Sequence, residues 1–178
     1  MATIFTHAAT AILVGKSFIR EKKSWRFWYY LAICSILPDI DVLGFKFGIK
    51  YGDFWGHRGF THSILFAFLL GLLISFVFYH KKKIFSWNWW GYVLLYTSVI
   101  ASHGLFDAMT DGGLGIAFFS PFNNTRYFLP WTPIKVSPIG AQGFFNGRGV
   151  DILINESIWI ITPMLLVALV LKSILKRR

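Results

Sequence analysis

The sequence is short of cysteine, of acidic residues and of charge altogether. Cys34 is its single cysteine, which excludes both an intramolecular disulfide and a zinc–thiolate cluster. Charged residues make up 15% of the chain, where a soluble domain carries about 25%. Eight acids stand against eighteen Lys and Arg, a net charge of +10. There is no internal repeat and no low-complexity tract. The opening MATIFTHAAT lacks the basic start of a secretory signal, so it is expected to be retained.

What is present instead is apolar. Hydrophobic residues reach 55% and aromatics 19% of the chain, and mean hydropathy is +0.55. That composition points to a membrane protein, and 178 residues suit one compact domain over 1–178. A helix needs roughly 20 mostly apolar residues to cross a bilayer. Segments at about 61–79, 88–109 and 157–174 qualify, while those at about 4–19 and 25–37 are shorter or less clean. The expected fold is therefore all-α: a polytopic membrane bundle of about five helices, with a long outer loop, 110–156, after the fourth.

If all five segments cross, the connections at 20–26 and 80–83, the C-terminal tail and Lys16 fall on one side. Together they hold twelve of the eighteen basic residues. The positive-inside rule makes that side cytoplasmic, with the N-terminus out and the C-terminus in. The basic excess then reads as a topology signal whose partner is membrane lipid, with no nucleic acid expected. The same alternation places eleven of the thirteen histidines and acids at the outer ends, leaving only His80 and Glu21 inside. The Pro-, Gly- and aromatic-rich 110–156 loop carries Phe118, Phe119, Phe128, Trp131, Phe144 and Phe145, suited to headgroup depth.

Several stretches can carry chemistry. In SHGLFDAMTDGG, His103 and Asp107 are four apart and share a helix face; ionisable residues inside a spanning helix are expensive and usually functional. In LPDIDVLG, the helix is expected to stop near Pro38, and an extended chain would turn Asp39 and Asp41 to one side. GHRGFTHS supplies His57 and His62 beside Arg58, whose planar fork suits a phosphate. Arg126 and Arg148 are further candidates for that grip, and Thr61 or Ser63 for capping the next helix. His7 and Glu156 lie at the outer starts of the first and last helices. Each pattern alone also describes an ordinary structural hydrogen bond, turn or helix-end charge. Jointly they bring four histidines and several carboxylates to one side, enough N and O ligands for two divalent metal ions. Mixed imidazole and carboxylate ligands suit Zn²⁺, with Mn²⁺ or Fe²⁺ as alternatives.

At LPDID, HRGFTHS, SHGLFDAMTDGG and the following PF at 121–122, the chain resembles the bacterial membrane-bound metal-dependent hydrolases, which include a LexA-regulated inner-membrane type. That family is grouped with the zinc-dependent phospholipase C and single-strand nuclease superfamily, an all-α fold with clustered zinc. The resemblance implies His7, Asp39, His57 or His62, His103 and Asp107 as metal ligands, and Glu156 as the late glutamate of the pattern. Ile152 stands where the accompanying histidine usually does, so the resemblance lacks that ligand for a third metal.

The expected function is a hydrolase of the bacterial inner membrane, cleaving a phosphoester of a phospholipid or lipid-linked phosphate from the extracytoplasmic side. Asp39 or Asp41 would orient or deprotonate the water, and Arg58 would hold the phosphate. An intramembrane zinc amidase or esterase using Ser63 or Ser102 is one alternative. A non-catalytic metal-binding or transport protein is another. A transporter would place polar groups near the midplane, whereas the middle of 61–79 is Leu, Phe and Ile.

Overall fold

The computed structural model describes residues 1–19 and 21–176. Arg20, Arg177 and Arg178, three of the basic residues behind the topology reading, lie outside the described residues. Five long helical segments account for most of the chain, and among the described residues there is no strand, only two isolated bridges within the 109–140 connection.

Helix α1 (Ile4–Phe18) starts where the Thr3 side chain accepts a hydrogen bond from the Thr6 amide, satisfying one of the orphan donors of a first turn. Helices α3 (Ile64–Phe78) and α4 (Trp87–Ala108) are capped in the same way by Ser63 and Ser86. Helix α2 (Trp25–Ile36) runs directly into a 3₁₀ helix, Leu37–Phe47, with Pro38 in its first turn. The extended LPDID expected from Pro38 is thus corrected. Proline lacks an N–H that a first helical turn leaves unpaired anyway, so it starts a new helix as readily as it stops an old one.

The second correction concerns the last helix. It begins at Ala141, not near 157, and α5 continues over 141–176 with π-helical turns at Phe144–Arg148 and Ser157–Ile161. Residues 149–156 include the polar Asp151, Asn155 and Glu156, which break the apolar run read from the sequence. Their buried positions, Gly149, Ile152 and Glu156, nevertheless recur at helical spacing. The second π turn lies just before Pro163, whose ring and missing N–H disturb the regular ladder.

Helix α3 lies along α4, α1 along α2, and α1 also meets α4 and α5. Gly71 lets α3 and α4 approach closely: a Cβ there would sit 2.5 Å from Thr97 Oγ1. The largest core cluster, with Ala11, Leu31, Ala67, Ile74, Val99 and Ile100, fills the middle of this four-helix part. Lengths matter for the membrane reading. At about 1.5 Å per residue, the 15 residues of α1 and of α3 reach only ~22 Å and the 12 of α2 ~18 Å, against a hydrocarbon core of about 30 Å. Among the described residues one stretch, Gly149–Val170, with 22 residues and mean hydropathy 1.9, is long and apolar enough to cross by itself.

The expected headgroup-level aromatics Phe119, Phe128, Trp131 and Phe145 are exposed, and Phe118 and Phe144 are half-buried. The 109–140 connection folds back over the end of α4: Asp111 N–H donates to Ile134 O, Ile134 N–H to Met109 O, and Ala117 N–H to Arg58 O. This cover encloses the end of the bundle where the histidines gather.

Candidate metal centre

Four elements deliver the site. The N-terminal turn of α1 brings His7, the 3₁₀ helix after α2 brings Asp39 and Asp41, and the turn before α3 brings His57 and His62. The C-terminal turns of α4 bring His103 and Asp107. The turn before α3 is tight. Arg58 sits there with φ 64, and a Cβ on Gly56 or Gly59 would collide with the carbonyl oxygens of Lys50 and Tyr51 or of Phe54. Those two glycines are therefore what allows the loop to place histidines on either side of Arg58.

The side chains converge. Asp39 Oδ1 lies 3.2 Å from His103 Nε2 and 3.6 Å from His62 Nε2. Asp107 Oδ2 is 3.9 Å from each of the same two nitrogens. One ligand atom from each of Asp39, His62, His103 and Asp107 falls within 4.8 Å of the others. A second group, Asp41, His57 and His62, meets the same criterion and shares His62. His7 stacks on His103 with ring centroids 3.7 Å apart, and its Nε2 is 3.4 Å from Asp107 Oδ1.

Proton positions follow from the partners. His103 Nδ1 lies 2.8 Å from the Ser35 carbonyl, an acceptor only, so Nδ1 carries the proton and Nε2 presents a lone pair. His62 Nδ1 is 3.1 Å from Asp41 Oδ2 and His57 Nδ1 is 2.8 Å from Asp41 Oδ1, so these rings too direct Nε2 away from the carboxylate. The Nε2 atoms of His57, His62 and His103, both oxygens of Asp39 and Asp107 Oδ2 are buried without a hydrogen-bond partner. Acceptors facing acceptors at 3.2–3.9 Å repel unless a proton or a cation lies between them. The donor set, imidazole and carboxylate, suits a divalent ion such as Zn²⁺, and the Nδ1 partners supply the outer hydrogen bonds that hold ligating histidines in place.

Electrostatics point the same way. Burial opposes the charged form of His62, yet the facing carboxylates of Asp39 and Asp41 outweigh it and push it up to about 9. Burial likewise opposes the Asp39 carboxylate, but His103 and His62 hold its carboxyl well below the usual range. Asp41, despite burial, is held to about 2 by His57 and His62. Burial pushes His57 down, only partly offset by its bond to Asp41. Without a metal, the cluster draws in a proton at His62 to balance its carboxylates.

Three expected site residues make further contacts within the protein. Asp41 is engaged within the protein: besides the two histidines, Thr61 Oγ1 donates to its Oδ2 at 2.6 Å and the Arg58 amide at 3.2 Å. These bonds let it orient the His57 and His62 rings, with which it also forms the second candidate ligand group. Glu156 does not join the cluster. Its carboxylate accepts from Thr3 N (2.6 Å), Thr3 Oγ1 (2.5 Å) and Thr6 Oγ1 (2.6 Å), tying α5 to the start of α1. Arg58 does not reach out as a phosphate grip: it is fully buried, donating to Gly112 O and Thr110 Oγ1 at 2.8 Å each, with Nε 3.3 Å from Asp107 Oδ2.

Three of the other candidates, Arg126, Ser63 and Ser102, are committed to other contacts. Arg126 ties down the carbonyls of His57, Tyr51 and Asp53. Arg148, in the first π turn of α5, is exposed. Ser63 caps α3 and Ser102 Oγ bonds Val99 O. Residues outside the expected set also matter: Thr61, the Ser35 carbonyl, Thr3, Thr6, and the Ala2 amide, which donates to Asp107 Oδ1 at 2.6 Å. Thr61 sits inside the H-R-G-x-T-H stretch and Thr3 in a helix-start pattern. Backbone partners such as Ser35 O leave no mark in a sequence.

No solved structure matches this chain. Inner membrane protein YbcI of Escherichia coli (strain K12) is 37% identical over 169 residues, covering 93% of this chain and 94% of that protein. The family described as YdjM inner membrane protein matches residues 1–178. A match over that whole length, with a relative so similar, means that the chain belongs to the YdjM inner membrane protein family.

Proposed function

We propose that this is a multi-pass inner-membrane metal-dependent hydrolase that cleaves a phosphoester of a phospholipid or lipid-linked phosphate. The observation that carries the reading is the buried set Asp39, His62, His103 and Asp107, whose acceptor atoms face one another without hydrogen-bond partners. One divalent ion fits this set. A second, as expected from the residue count, would have to form among Asp41, His57 and His62, where the carboxylate is already bonded to both rings.

Asp39, His62, His103 and Asp107 would hold a divalent ion, which would supply Lewis acidity for phosphoester hydrolysis by water. The chain's own residues do the rest. Asp39 is the least buried of the four, its side chain 9% exposed where the other three are at 0%, so reactants approach from its side. Its unpaired Oδ2 is the acceptor placed to orient the attacking water, whose proton would pass to the alkoxide released as the ester P–O bond breaks. Arg58 lies against Asp107 and Asp41 holds the His62 and His57 rings. In the multi-pass arrangement, with the N-terminus outside and the C-terminus inside, this end would face extracytoplasmic headgroups. The apolar core between it and the basic end favours an enzyme over a transporter. The committed hydroxyls of Ser63 and Ser102 favour metal-assisted attack by water over a serine route.

The test is elemental analysis of the purified protein together with phosphate release from phospholipid vesicles. The expected outcome is one tightly bound divalent ion per chain and hydrolysis that chelation abolishes and metal restores. Metal-loaded protein that leaves every lipid phosphate intact while cleaving lipid amides would move the reading to an amidase. Protein that binds no divalent ion would end it.

A further inference from the structure

At the end of the bundle away from the metal cluster, the end of α1, the connections at 21–23 and 82 and the first half of α4 line a groove of about 540 Å³. Its walls are apolar, with Ile19, Leu94 and Leu95. Its mouth is polar and basic, with Lys23, Lys82 and Asn88. Lys23 Nζ donates to Glu21 Oε2 at 2.6 Å and to Tyr92 OH at 2.9 Å. An ammonium has three N–H donors, so one remains after these two fix the side chain at the mouth. Glu21 is the one acid lining the groove and is fully exposed, so Lys23 and Lys82 leave the mouth net positive. Lys81 and Lys83 flank it, both exposed. Trp87, at the rim, is 93% exposed, as suits an aromatic ring at the membrane–water interface. Within the groove, Gly91 leaves a gap: a Cβ added there meets nothing within 4 Å.

An apolar trough that ends in a positive mouth at headgroup level has the form of an anionic amphiphile. We propose that this groove binds one anionic phospholipid from the leaflet facing the basic end, its phosphate between Lys23 and Lys82 and an acyl chain along Ile19, Gly91 and Leu95. Tyr92 and His103 lie on the same helix about 16 Å apart at about 1.5 Å per residue. The site is therefore separate from the metal cluster and does not depend on the hydrolase reading. A basic, cytoplasm-type surface attracts anionic lipid in general; the groove adds a seat for the chain, which makes the binding stoichiometric.

The test uses the full-length protein, delipidated in mild detergent and titrated with phosphatidylglycerol or phosphatidylcholine. Retained lipid is read by native mass spectrometry and stability by thermal shift. One phosphatidylglycerol per chain is expected, preferred at least tenfold over phosphatidylcholine. Gly91→Leu should fill the trough and abolish retention of that lipid, while Gly91→Ala, which favours the helix without filling the space, should preserve it. Lys82→Glu should remove the preference for the anionic lipid. Metal content should be the same in all variants, which separates a failure of this site from a failure of the metal centre. Equal retention of the two lipids by the unmodified protein would overturn the proposal. So would undiminished binding in Gly91→Leu, or the same thermal shift from inorganic phosphate alone.

Discussion

Asp41→Asn separates a residue that orients ligands from one that binds metal. In the native cluster Asp41 Oδ2 faces three donors, the Thr61 hydroxyl at 2.6 Å, the Arg58 amide at 3.2 Å and His62 Nδ1 at 3.1 Å. Oδ1 faces only His57 Nδ1, at 2.8 Å. An asparagine of the same shape will place its carbonyl oxygen toward the three donors and its NH₂ toward His57. His57 must then accept at Nδ1 and carry its proton on Nε2, whereas His62 keeps the tautomer that presents a lone pair to Asp39 and Asp107. The ion loses the charge behind His62 but none of its four direct contacts. Loss of an outer-shell partner typically weakens metal binding 10–100-fold, or about 1.4–2.8 kcal/mol. Competition with a chromogenic chelator would measure that shift, elemental analysis would count metal at saturation, and ¹⁵N chemical shifts would report the His57 tautomer. The expected result is one ion per chain at saturation, bound 10–100-fold more weakly, with His57 switched. An unchanged affinity would refute the orienting role. A variant that binds no ion even at saturation would refute it in the other direction, making Asp41 a ligand.

The other expectations are more compact. Because His62 in the metal-free protein is pushed up to about 9, its protonated form contributes stability that is complete below its unfolded pKa of about 6.5 and is lost as pH rises through about 9. The thermal midpoint of metal-free protein should therefore fall from neutral to alkaline pH, and added Zn²⁺ should flatten that fall; a midpoint that rises over the same range contradicts the assignment. Glu156→Ala strands the Thr3 and Thr6 hydroxyls and the Thr3 amide, which are buried, at a loss of about 1–3 kcal/mol for an unpaired buried group. It should lower the unfolding midpoint while metal per chain stays the same, and a loss of metal would restore Glu156 to the ligand set. Arg58→Lys cannot reach Gly112 O, Thr110 Oγ1 and Asp107 together as the planar fork does. It should destabilise the protein by about 1–3 kcal/mol and weaken metal binding through Asp107, and a variant with unaltered stability would show the buried fork to be dispensable.

Much of this was legible in residue order, and what was not has identifiable causes. The capping hydroxyls Ser63 and Ser86 stand where a polar residue meets an apolar run, so the starts of α3 and α4 follow from local chemistry. The upstream half of α5 does not, because hydropathy averages over 149–156, where the buried positions are only Gly149, Ile152 and Glu156. His103 and Asp107 read as one face because helical spacing is fixed. Asp39 and Asp41 were expected to act as a pair in an extended chain. The 3₁₀ helix turns one toward His103 and the other toward His57 and Thr61.

Composition and periodicity determined on their own that this is a helical, lipid-compatible chain whose histidines and acids gather at one end, since both depend only on which residues follow which. Roles within the cluster were decided by tertiary contact. Arg58 turns inward because Gly113, at φ +96, leaves room for its guanidinium beside Gly112 and Thr110. Glu156 turns to α1 because three donors wait there. A carboxylate or guanidinium in a dry interior goes where its hydrogen bonds can be made, and the positions of those partners exist only once the helices have packed.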